Sequence, residues 1–447
     1  MRRPMRSWRG TRRRWRACVL RLTSLRACSS SAGGTGRMKR SCAIRPCCMG
    51  IWTPSCKPWM RTQMTERPTP KRLLFLINDA WFFVTHILPL ARAAVAAGYD
   101  THAALPFQAA ALDTADALEA IRATGAQLHD LPLQRAGYGP AGELRALWDI
   151  FTLCRRLRPG ILHCISIKPV IYGGLVARCL GLGRAVFFIT GLGHVFIAEG
   201  GKARLMRFLV KRAYRMTLSY ARGVTVFENE VDRSLFVEAK LLPREQSVLI
   251  PGVGVDAEKF HPALVAPPGP PLVMLPARLQ NEKGVREFVE AARILRSRSI
   301  GVRMVLVGYA DFARPGGIRE AELRAWVAEG VVEWWGHSST MPATLREAHI
   351  VCLPSYREGF SKTLLEAAAT GLPIVTSDAP GCRDAVLAGE SALLVPPRDA
   401  TALAEALERL IADPELRARM GARGREHVVR EFTLARFITA NLALYAA

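Results

Sequence analysis

E-G-F-S-K-T-L-L-E, from Glu358 to Glu366, is the segment of this chain that indicates its fold most clearly. It follows an apolar run at residues 348–353, which Pro354 ends, and its apolar residues recur at helical spacing. The pattern predicts a strand, a loop and a helix with Ser361 as the N-cap. At the carboxyl edge of a parallel sheet, the free N–H groups and positive dipole end of such a helix can bind a diphosphate.

The two glutamates of this segment stand eight residues apart. Carboxylates accept hydrogen bonds from vicinal hydroxyls, so Glu358 could hold a sugar and Glu366 a ribose on either side of a diphosphate. The spacing alone is equally compatible with a buried helix that carries two solvated acidic residues.

A second strand followed by a helix contains two cations. The apolar run at residues 272–275 leads into P-A-R-L-Q-N-E-K-G-V, from Pro276 to Val285. Arg278 offers a planar fork and Lys283 a point charge, which together could neutralise a leaving diphosphate. The alternative is that both are ordinary exposed surface cations.

These segments resemble the donor-binding half of the retaining family-4 glycosyltransferases (glycosyl transferases group 1), which have the GT-B fold. The resemblance is specific over about residues 270–425, looser over 71–260, and extends to bacterial enzymes that lengthen lipid-linked oligosaccharides or surface polysaccharides. The matching motifs, in order, are P-A-R-L-x-x-E-K-G-V at 276–285, V-L-V-G at 305–308, W-G-H at 335–337, L-P-S-Y-R-E-G-F-S at 353–361 and G-L-P-I-V at 371–375.

The resemblance implies roles for single residues of the donor half. Glu358, Arg278 and Lys283 are expected to be catalytic, with Glu358 orienting the sugar and the two cations stabilising the departing diphosphate. The residues expected to bind the donor are Glu366, Gly359, Phe360, Ser361, Thr363 and His337. A nucleotide diphosphate sugar is expected as co-substrate, with no cofactor and no metal site.

The amino-terminal half departs from the family pattern. The Gly-Gly pair that many members have after the first strand is absent, and the chain reads I-N-D-A-W-F-F-V-T-H from Ile77 to His86. The candidates for the acceptor side are His86, His163, Lys168, Gly191, Gly193 and His194. Each histidine, taken singly, could instead be a packed or surface residue.

The sequence predicts an α/β protein with two doubly wound, Rossmann-like domains that face each other across a cleft, because short apolar runs alternate with helical stretches. The expected divisions are an amino-terminal acceptor domain at 71–260, a proline-rich linker at 261–271, a nucleotide-sugar domain at 272–425 and a C-terminal helix at 426–447 that could pack back on the first domain. No run reaches the ~18 apolar residues of a membrane span.

Residues 1–70 do not fit either domain. They contain 17 of the 62 Lys and Arg but one of the 38 Asp and Glu, so +16 of the net charge of +24 lies there. A nucleic-acid-binding arm is one interpretation of this charge. We favour a disordered or mis-assigned extension, with Met64 or a nearby methionine as the natural start.

A second basic segment runs from Lys202 to Arg222 and contains seven cations and no acidic residue. Apolar residues recur within it at helical spacing, so it is either an ordinary amphipathic helix or a helix that lies on anionic lipid. The five cysteines after residue 70 are scattered, which indicates a reducing compartment. The expected location is cytoplasmic, at the inner face of the plasma membrane.

The resulting hypothesis is a retaining hexosyltransferase that moves a hexose or N-acetylhexosamine from a nucleotide diphosphate sugar, expected to be a UDP-sugar, to a polyprenyl-diphosphate-linked saccharide. Such an enzyme would act in bacterial surface polysaccharide biosynthesis and would bind no nucleic acid. Two alternatives remain. One is a nucleotide-sugar epimerase of the same fold, and the other is a basic nucleic-acid-binding protein with a degenerate transferase domain.

Overall fold

The computed structural model describes residues 71–107, 114–133, 139–191, 201–265, 267–310, 312 and 316–446. The chain from Pro70 to Ala447 forms one compact unit. The expectation for residues 1–70 lies outside the described residues, as do those for Gly193 and His194.

The first domain is built on a sheet of seven parallel strands in the order β3-β2-β1-β4-β5-β6-β7. Along β1, Leu74 and Leu76 belong to one buried cluster and Leu73 and Phe75 to another, so both faces of the sheet are covered. The strands are β1 Arg72–Leu76, β2 Asp100–Leu105, β3 Gln127–Asp130, β4 Ile161–Ile165, β5 Arg184–Ile189, β6 Gly223–Phe227 and β7 Ser247–Leu249.

Helices connect these strands on both faces of the sheet. A short turn of helix at Ala80–Phe82 and a π-helical turn at Phe83–Ile87 precede the first of them. The helices are α1 Leu88–Ala96, α2 Thr114–Arg122, α3 Pro140–Leu157, α4 Ile167–Leu180, α5 Gly201–Leu218 and α6 Glu230–Glu238.

The second domain has six parallel strands in the order β10-β9-β8-β11-β12-β13. Its strands are β8 Leu272–Pro276, β9 Arg303–Val307, β10 Glu333–Trp334, β11 Ile350–Leu353, β12 Ile374–Ser377 and β13 Ala392–Val395. Its helices are α7 Val285–Ser297, α8 Glu320–Ala328, α9 Met341–Leu345, α10 Lys362–Ala369, α11 Ala400–Ala412 and α12 Pro414–Glu431. The two sheets confirm the predicted class of two doubly wound α/β domains.

The last helix, α13 Leu434–Ala446, packs into the core of the first domain. The chain crosses back beside Val255, whose N–H donates to Phe432 O at 2.9 Å and whose carbonyl accepts from Leu434 N at 3.1 Å. On α13, Phe437 and Tyr445 are buried among side chains of β1, β4 and β5. The two domains are therefore joined by two chain crossings.

His163 is part of this core. Its side chain is fully buried, and its Nδ1 lies 2.6 Å from the hydroxyl of Tyr445 on α13. Burial lowers the pKa of His163 to about 3, so the imidazole is neutral. The assignment of His163 to the acceptor side is wrong, because a side chain without accessible surface cannot contact an acceptor. The residue instead ties the last helix to β4.

Replacing Phe437 with Ala should lower the free energy of unfolding by about 3 to 5 kcal/mol, because it leaves a cavity where α13 meets the first domain. Urea-induced unfolding measures the change. Thr439→Ala on the exposed side of the same helix is the matched control and should shift the free energy by less than about 0.5 kcal/mol. Equal effects of the two variants would show that α13 is not anchored in this core.

Candidate active site

The carboxyl ends of β8 and β11 are neighbours in the second sheet, and their two loops form one site. Tyr356 N donates to Glu282 O at 2.9 Å, which ties the loop after β11 to the loop after β8. Gly284 has φ +71°, and a β-carbon there would overlap the carbonyl oxygen of Pro354. Only glycine allows this approach, so the two predicted site segments are held side by side.

Lys283 and Glu358 meet between these loops. The lysine Nζ lies 2.5 Å from Oε1 and 2.7 Å from Oε2 of the carboxylate, and the side chains are 16% and 15% exposed. Each charge compensates the other where water is largely excluded. A diphosphate that bound Lys283 would compete with Glu358 and free the carboxylate oxygens to accept hydrogen bonds from a sugar.

Helix α10 begins directly after this pair. The hydroxyl of Ser361 accepts from Leu364 N at 3.4 Å, which confirms the predicted N-cap. Thr363 is half-buried in the first turn, and that turn contains no acidic residue. The helix N terminus therefore presents its positive end to the site without a competing carboxylate.

Glu366 lies one turn deeper in α10 and is 8% exposed. Its Oε1 forms an ion pair with Nζ of Lys362, one helical turn earlier. Lys362 is more exposed than its partner, so the ion pair closes the solvent side of the carboxylate. The structure places Glu366 behind the start of the helix, and its contact with a ribose stays a prediction.

Two further predicted site residues, one catalytic and one donor-binding, lie on the loops after β8 and β10. Arg278 is exposed on the loop that follows β8. His337 is exposed, and its ring meets Trp81 of the first domain edge to face, with centroids 5.8 Å apart at 74°. Trp81 follows β1, where the Gly-Gly pair of the family is missing. This aromatic contact therefore joins the two domains, and it starts at the point where the first domain departs from the family pattern.

Gly359 occupies the tightest point between the domains. A β-carbon built on it would overlap the carbonyl oxygen of Thr190 and lie 2.6 Å from Oε2 of Glu228. Gly191, with φ +129°, approaches Gly359 from the same side, since a β-carbon on Gly191 would lie 3.8 Å from Gly359 Cα. Both loops at this junction thus require glycine.

The segment that follows β6 contacts the loop between β11 and α10, residues 354–361, which we call the donor loop. Asn229 Nδ2 donates to Gly359 O at 2.7 Å, and Asp232, which is 1% exposed, forms an ion pair with Arg357. Asn229, Asp232 and Glu228 were not among the predicted site residues. Glu228 and Asn229 directly follow a buried strand, as Glu358 follows β11, so the same signal could have identified them.

Glu228 is the most strongly perturbed carboxyl at this junction. Burial raises the pKa of Glu228 to about 8, and the charges of Asp232 and Glu358 add to the effect. Burial also raises the pKa of Asp232, although Arg357 opposes that shift. The acidic groups of this cleft are therefore divided between Glu358, which has Lys283 beside it, and Glu228, which is neutral at pH 7.

Phe360 fixes the loop through its ring. The ring packs against Phe432 with centroids 5.3 Å apart, and a β-carbon on Gly252 would lie 2.7 Å from it. Gly252 has φ +61°. The side chain of Phe360 therefore anchors the donor loop to the interdomain crossing, and its contact with a donor stays a prediction.

The remaining acceptor-side candidates lie on the first domain. His86 stacks on Phe82 with centroids 4.0 Å apart, and its Nδ1 lies 2.7 Å from the hydroxyl of Thr85. Lys168, at the start of α4, pairs with Glu143 at 2.8 Å. The structure brings Gly191 to the donor loop, whereas these contacts of His86 and Lys168 are made within the first domain.

The described part of the chain has no group of three or more His, Cys, Asp and Glu side chains that could hold a metal ion. Over the same ranges, no helix combines the length and the apolar character that crossing a bilayer requires.

Two family models match the chain. Residues 256–427 match the family described as glycosyl transferases group 1, and residues 72–220 match the family described as glycosyl transferase 4-like. The matches cover the donor loops and the strands of the first domain up to the end of α5. The first match includes the loops after β8 and β11 and the second includes Thr190 and Gly191, whereas Glu228, Asn229 and Asp232 lie between the two matched ranges.

Bacterial transferases are among the similar curated proteins. An N,N'-diacetylbacillosaminyl-diphospho-undecaprenol α-1,3-N-acetylgalactosaminyltransferase of Campylobacter jejuni is 28% identical over 66% of this chain and 80% of its own length. The capsular polysaccharide biosynthesis glycosyltransferase CapM of Staphylococcus aureus is 28% identical over 68% of this chain and 81% of its own.

Solved structures share the fold at lower identity. HepE of Anabaena, in complex with UDP and glucose, superimposes with a TM-score of 0.68 at 15% identity and covers 84% of this chain and all of HepE. The sucrose-phosphate synthase of Thermosynechococcus elongatus also gives 0.68, at 21% identity, over 84% of this chain and 98% of its own. These likenesses confirm the GT-B fold.

Gly359→Ala should lower turnover by about 100-fold, because the added methyl group displaces the donor loop from Thr190 and Glu228, and misplacement of a catalytic group by about 1 Å costs that much. The rate of nucleotide release from a UDP-sugar measures the loss. Gly301→Ala, at a position with open space around it, is the control and should leave the rate unchanged. Normal turnover of Gly359→Ala would show that this close approach is dispensable.

Proposed function

We propose that this chain, which belongs to the group 1 and 4-like glycosyltransferases, transfers a hexose or N-acetylhexosamine from a UDP-sugar to a polyprenyl-diphosphate-linked saccharide with retention at the anomeric carbon. The observation that carries the proposal is the Lys283–Glu358 pair at the start of α10. At one helix N terminus, this pair combines Lys283, which would bind the leaving diphosphate, with Glu358, which would bind the sugar.

The donor assignment follows from charge. Cleavage of the anomeric bond leaves a nucleoside diphosphate, whose developing negative charge needs fixed positive partners. Lys283, Arg278 and the N terminus of α10 supply positive charge from two adjacent loops. Glu366 lies beyond that helix start, where a ribose attached to the diphosphate would reach it. HepE, which shares the fold, was solved with UDP and glucose.

Retention follows if the acceptor hydroxyl attacks on the face that the diphosphate leaves. In this mechanism the departing phosphate accepts the proton of the acceptor hydroxyl as the new glycosidic bond forms. The carboxylate of Glu358 would orient the sugar through hydrogen bonds rather than form a covalent bond, once the diphosphate binds Lys283 and frees the two oxygens that now contact its Nζ.

A lipid-linked acceptor is favoured by the surface of α5. Arg204 and Arg212 on this helix are exposed, while Tyr214 and Leu218 pack into the core. Exposed large apolar side chains lie on the same helix, and these are Leu205 at 62%, Met206 at 52%, Phe208 at 63% and Leu209 at 52%. A basic helix with an unburied apolar side has the composition of an interfacial helix on anionic lipid.

The relatives point to the same acceptor class. The name of the Campylobacter protein specifies a diphospho-undecaprenol acceptor, and CapM is a capsular polysaccharide transferase. We therefore place this chain in bacterial surface polysaccharide biosynthesis, peripherally bound at the inner face of the membrane that contains its acceptor.

An epimerase of the same fold is the second candidate. Such an enzyme needs an acid and a base at the sugar, and Glu228, whose pKa burial raises to about 8, lies at one junction with Glu358, which is paired with Lys283. It would interconvert the sugar nucleotide without an acceptor.

The test is nucleotide release in a screen of UDP- and GDP-sugars with undecaprenyl-diphosphate-linked saccharides. We expect stoichiometric release of UDP that depends on the acceptor. Lys283→Ala should lower that rate by at least ~100-fold, the scale for removing one preorganised charge from a leaving group. Lys259→Ala, an exposed lysine between the domains, is the control and should have the parent rate.

Interconversion of the sugar nucleotide without an acceptor would support the epimerase instead. Near-normal turnover of Lys283→Ala would contradict the assignment of the diphosphate to this loop.

Charge reversal at Arg204, Arg207 and Lys211 should abolish sedimentation of the protein with vesicles that contain acidic phospholipid, because each interfacial cation contributes about 1 kcal/mol. Binding of the parent should weaken as added salt shortens the Debye length. Hydrolysis of the donor nucleotide sugar should remain, since α5 contributes no residue to the donor loops.

The matched control reverses three exposed arginines on other helices, Arg92, Arg122 and Arg409, which changes the net charge by the same amount. This control should bind vesicles like the parent. If both triple variants bind equally, α5 does not form the membrane surface.

A further inference from the structure

The carboxyl of Glu228 lies against the donor loop without a cation of its own. Its side chain is buried, and its Oε2 lies 2.6 Å from the position that a β-carbon on Gly359 would occupy. Within the described ranges, no basic side chain forms an ion pair with it. The loop residue next to Gly359 is Glu358, which we assign to the sugar. Glu228 thus reaches the donor site from the opposite domain.

The charged groups around Glu228 come from three elements. On α6, Asp232 raises the pKa of Glu228, but Asp232 is itself paired with Arg357. On the donor loop, Glu358 raises it as well, and Glu358 is paired with Lys283. In the loop after β12, the charge of Asp384 raises the pKa of Asp232. Asp384 also accepts a hydrogen bond from Gly381 N at 2.7 Å. Arg357 and Lys283 are thus already paired with carboxylates other than Glu228.

We propose that Glu228 is a positioning residue for sugar transfer, a neutral carboxyl group that allows the turn at Glu358 and Gly359 to close on the first domain. This inference rests on the proposed function, and it assigns a role that the family motifs of the donor half do not contain. Glu228 keeps its proton throughout, so no covalent or proton-transfer step is assigned to it.

The physical reason is repulsion at short range. An ionised Glu228 would add a negative charge beside Glu358 in a junction that water barely reaches, where like charges repel strongly. The diphosphate of a bound donor would add further negative charge at Lys283. The loop would move away from the first domain, and the hydrogen bond from Asn229 to Gly359 O would be lost.

The pH dependence has a definite sign. The pKa of Glu228 in the folded protein, about 8, lies above the ordinary value of 4.5, so the proton is bound more tightly in the folded state. The closed loop is stable below this pKa and is weakened as the pH rises through it. A glutamine at position 228 is neutral at every pH and preserves the shape of the side chain.

The experiment compares kcat/KM for acceptor-dependent nucleotide release from about pH 6 to pH 10. The parent rate should fall above pH 8, whereas Glu228→Gln should keep the rate within about 3-fold at pH 7 and lose that fall. Glu228→Ala should lose at least about 10-fold at pH 7. Glu230→Gln, at an exposed residue two positions later that binds Arg233 and Arg244, should keep the parent profile.

Thermal unfolding without substrate provides a readout that does not depend on transfer. The difference between the Tm of Glu228→Gln and the Tm of the parent should grow by on the order of 5 °C as the pH rises from about 5 to about 8. The reason is that the folded parent must keep Glu228 protonated over this range, whereas the glutamine carries no such proton. If no donor supports transfer, the proposed function fails, and this Tm series still decides whether Glu228 is neutral in the closed protein.

Parallel pH profiles of the parent and Glu228→Gln would overturn the proposal, as would a Tm difference that does not change with pH. A Glu228→Gln variant as impaired as Glu228→Ala at pH 7 would also overturn it, since the neutral form would then not suffice.

Discussion

The close approach of Gly359 to the first domain is the constraint on which the active site depends. The absence of a side chain lets the donor loop reach the carbonyl of Thr190 and the carboxyl of Glu228. The hydrogen bond from Asn229 and the ion pair between Asp232 and Arg357 fix that approach on either side. Since Glu358 precedes Gly359 and α10 follows it, this contact sets where the carboxylate of Glu358 and the N terminus of α10 lie relative to the other domain.

The same junction explains the distribution of charge. Four carboxyl groups, those of Glu228, Asp232, Glu358 and Glu366, occur within two short segments, and three of them have a cation beside them in Arg357, Lys283 and Lys362. Glu228 has none and is neutral because burial raises its pKa. A diphosphate that binds Lys283 would thus have to replace Glu358, so its binding exchanges one ion pair for another.

Sequence patterns sufficed for the fold because both sheets are parallel and buried on both faces, which makes strands such as β1 and β11 short apolar runs. Ser361 was identifiable as an N-cap because it precedes apolar residues at helical spacing. Contacts between distant segments were not predictable. Nothing in the sequence near His163 indicates that Tyr445, 282 residues later, would bury it. Glu228 follows a buried strand and was identifiable as a candidate, but its contact with Gly359 was not predictable, because that contact depends on a loop in the other domain.

A crystal structure of the protein with bound UDP would show whether Lys283 and α10 bind the diphosphate. We expect diphosphate oxygens within ion-pair distance of Lys283 Nζ and at the N terminus of α10, the ribose at Glu366, and Glu358 released from Lys283 to face the position of the sugar. A nucleotide bound elsewhere, or a Lys283–Glu358 pair left intact beside bound UDP, would contradict this expectation.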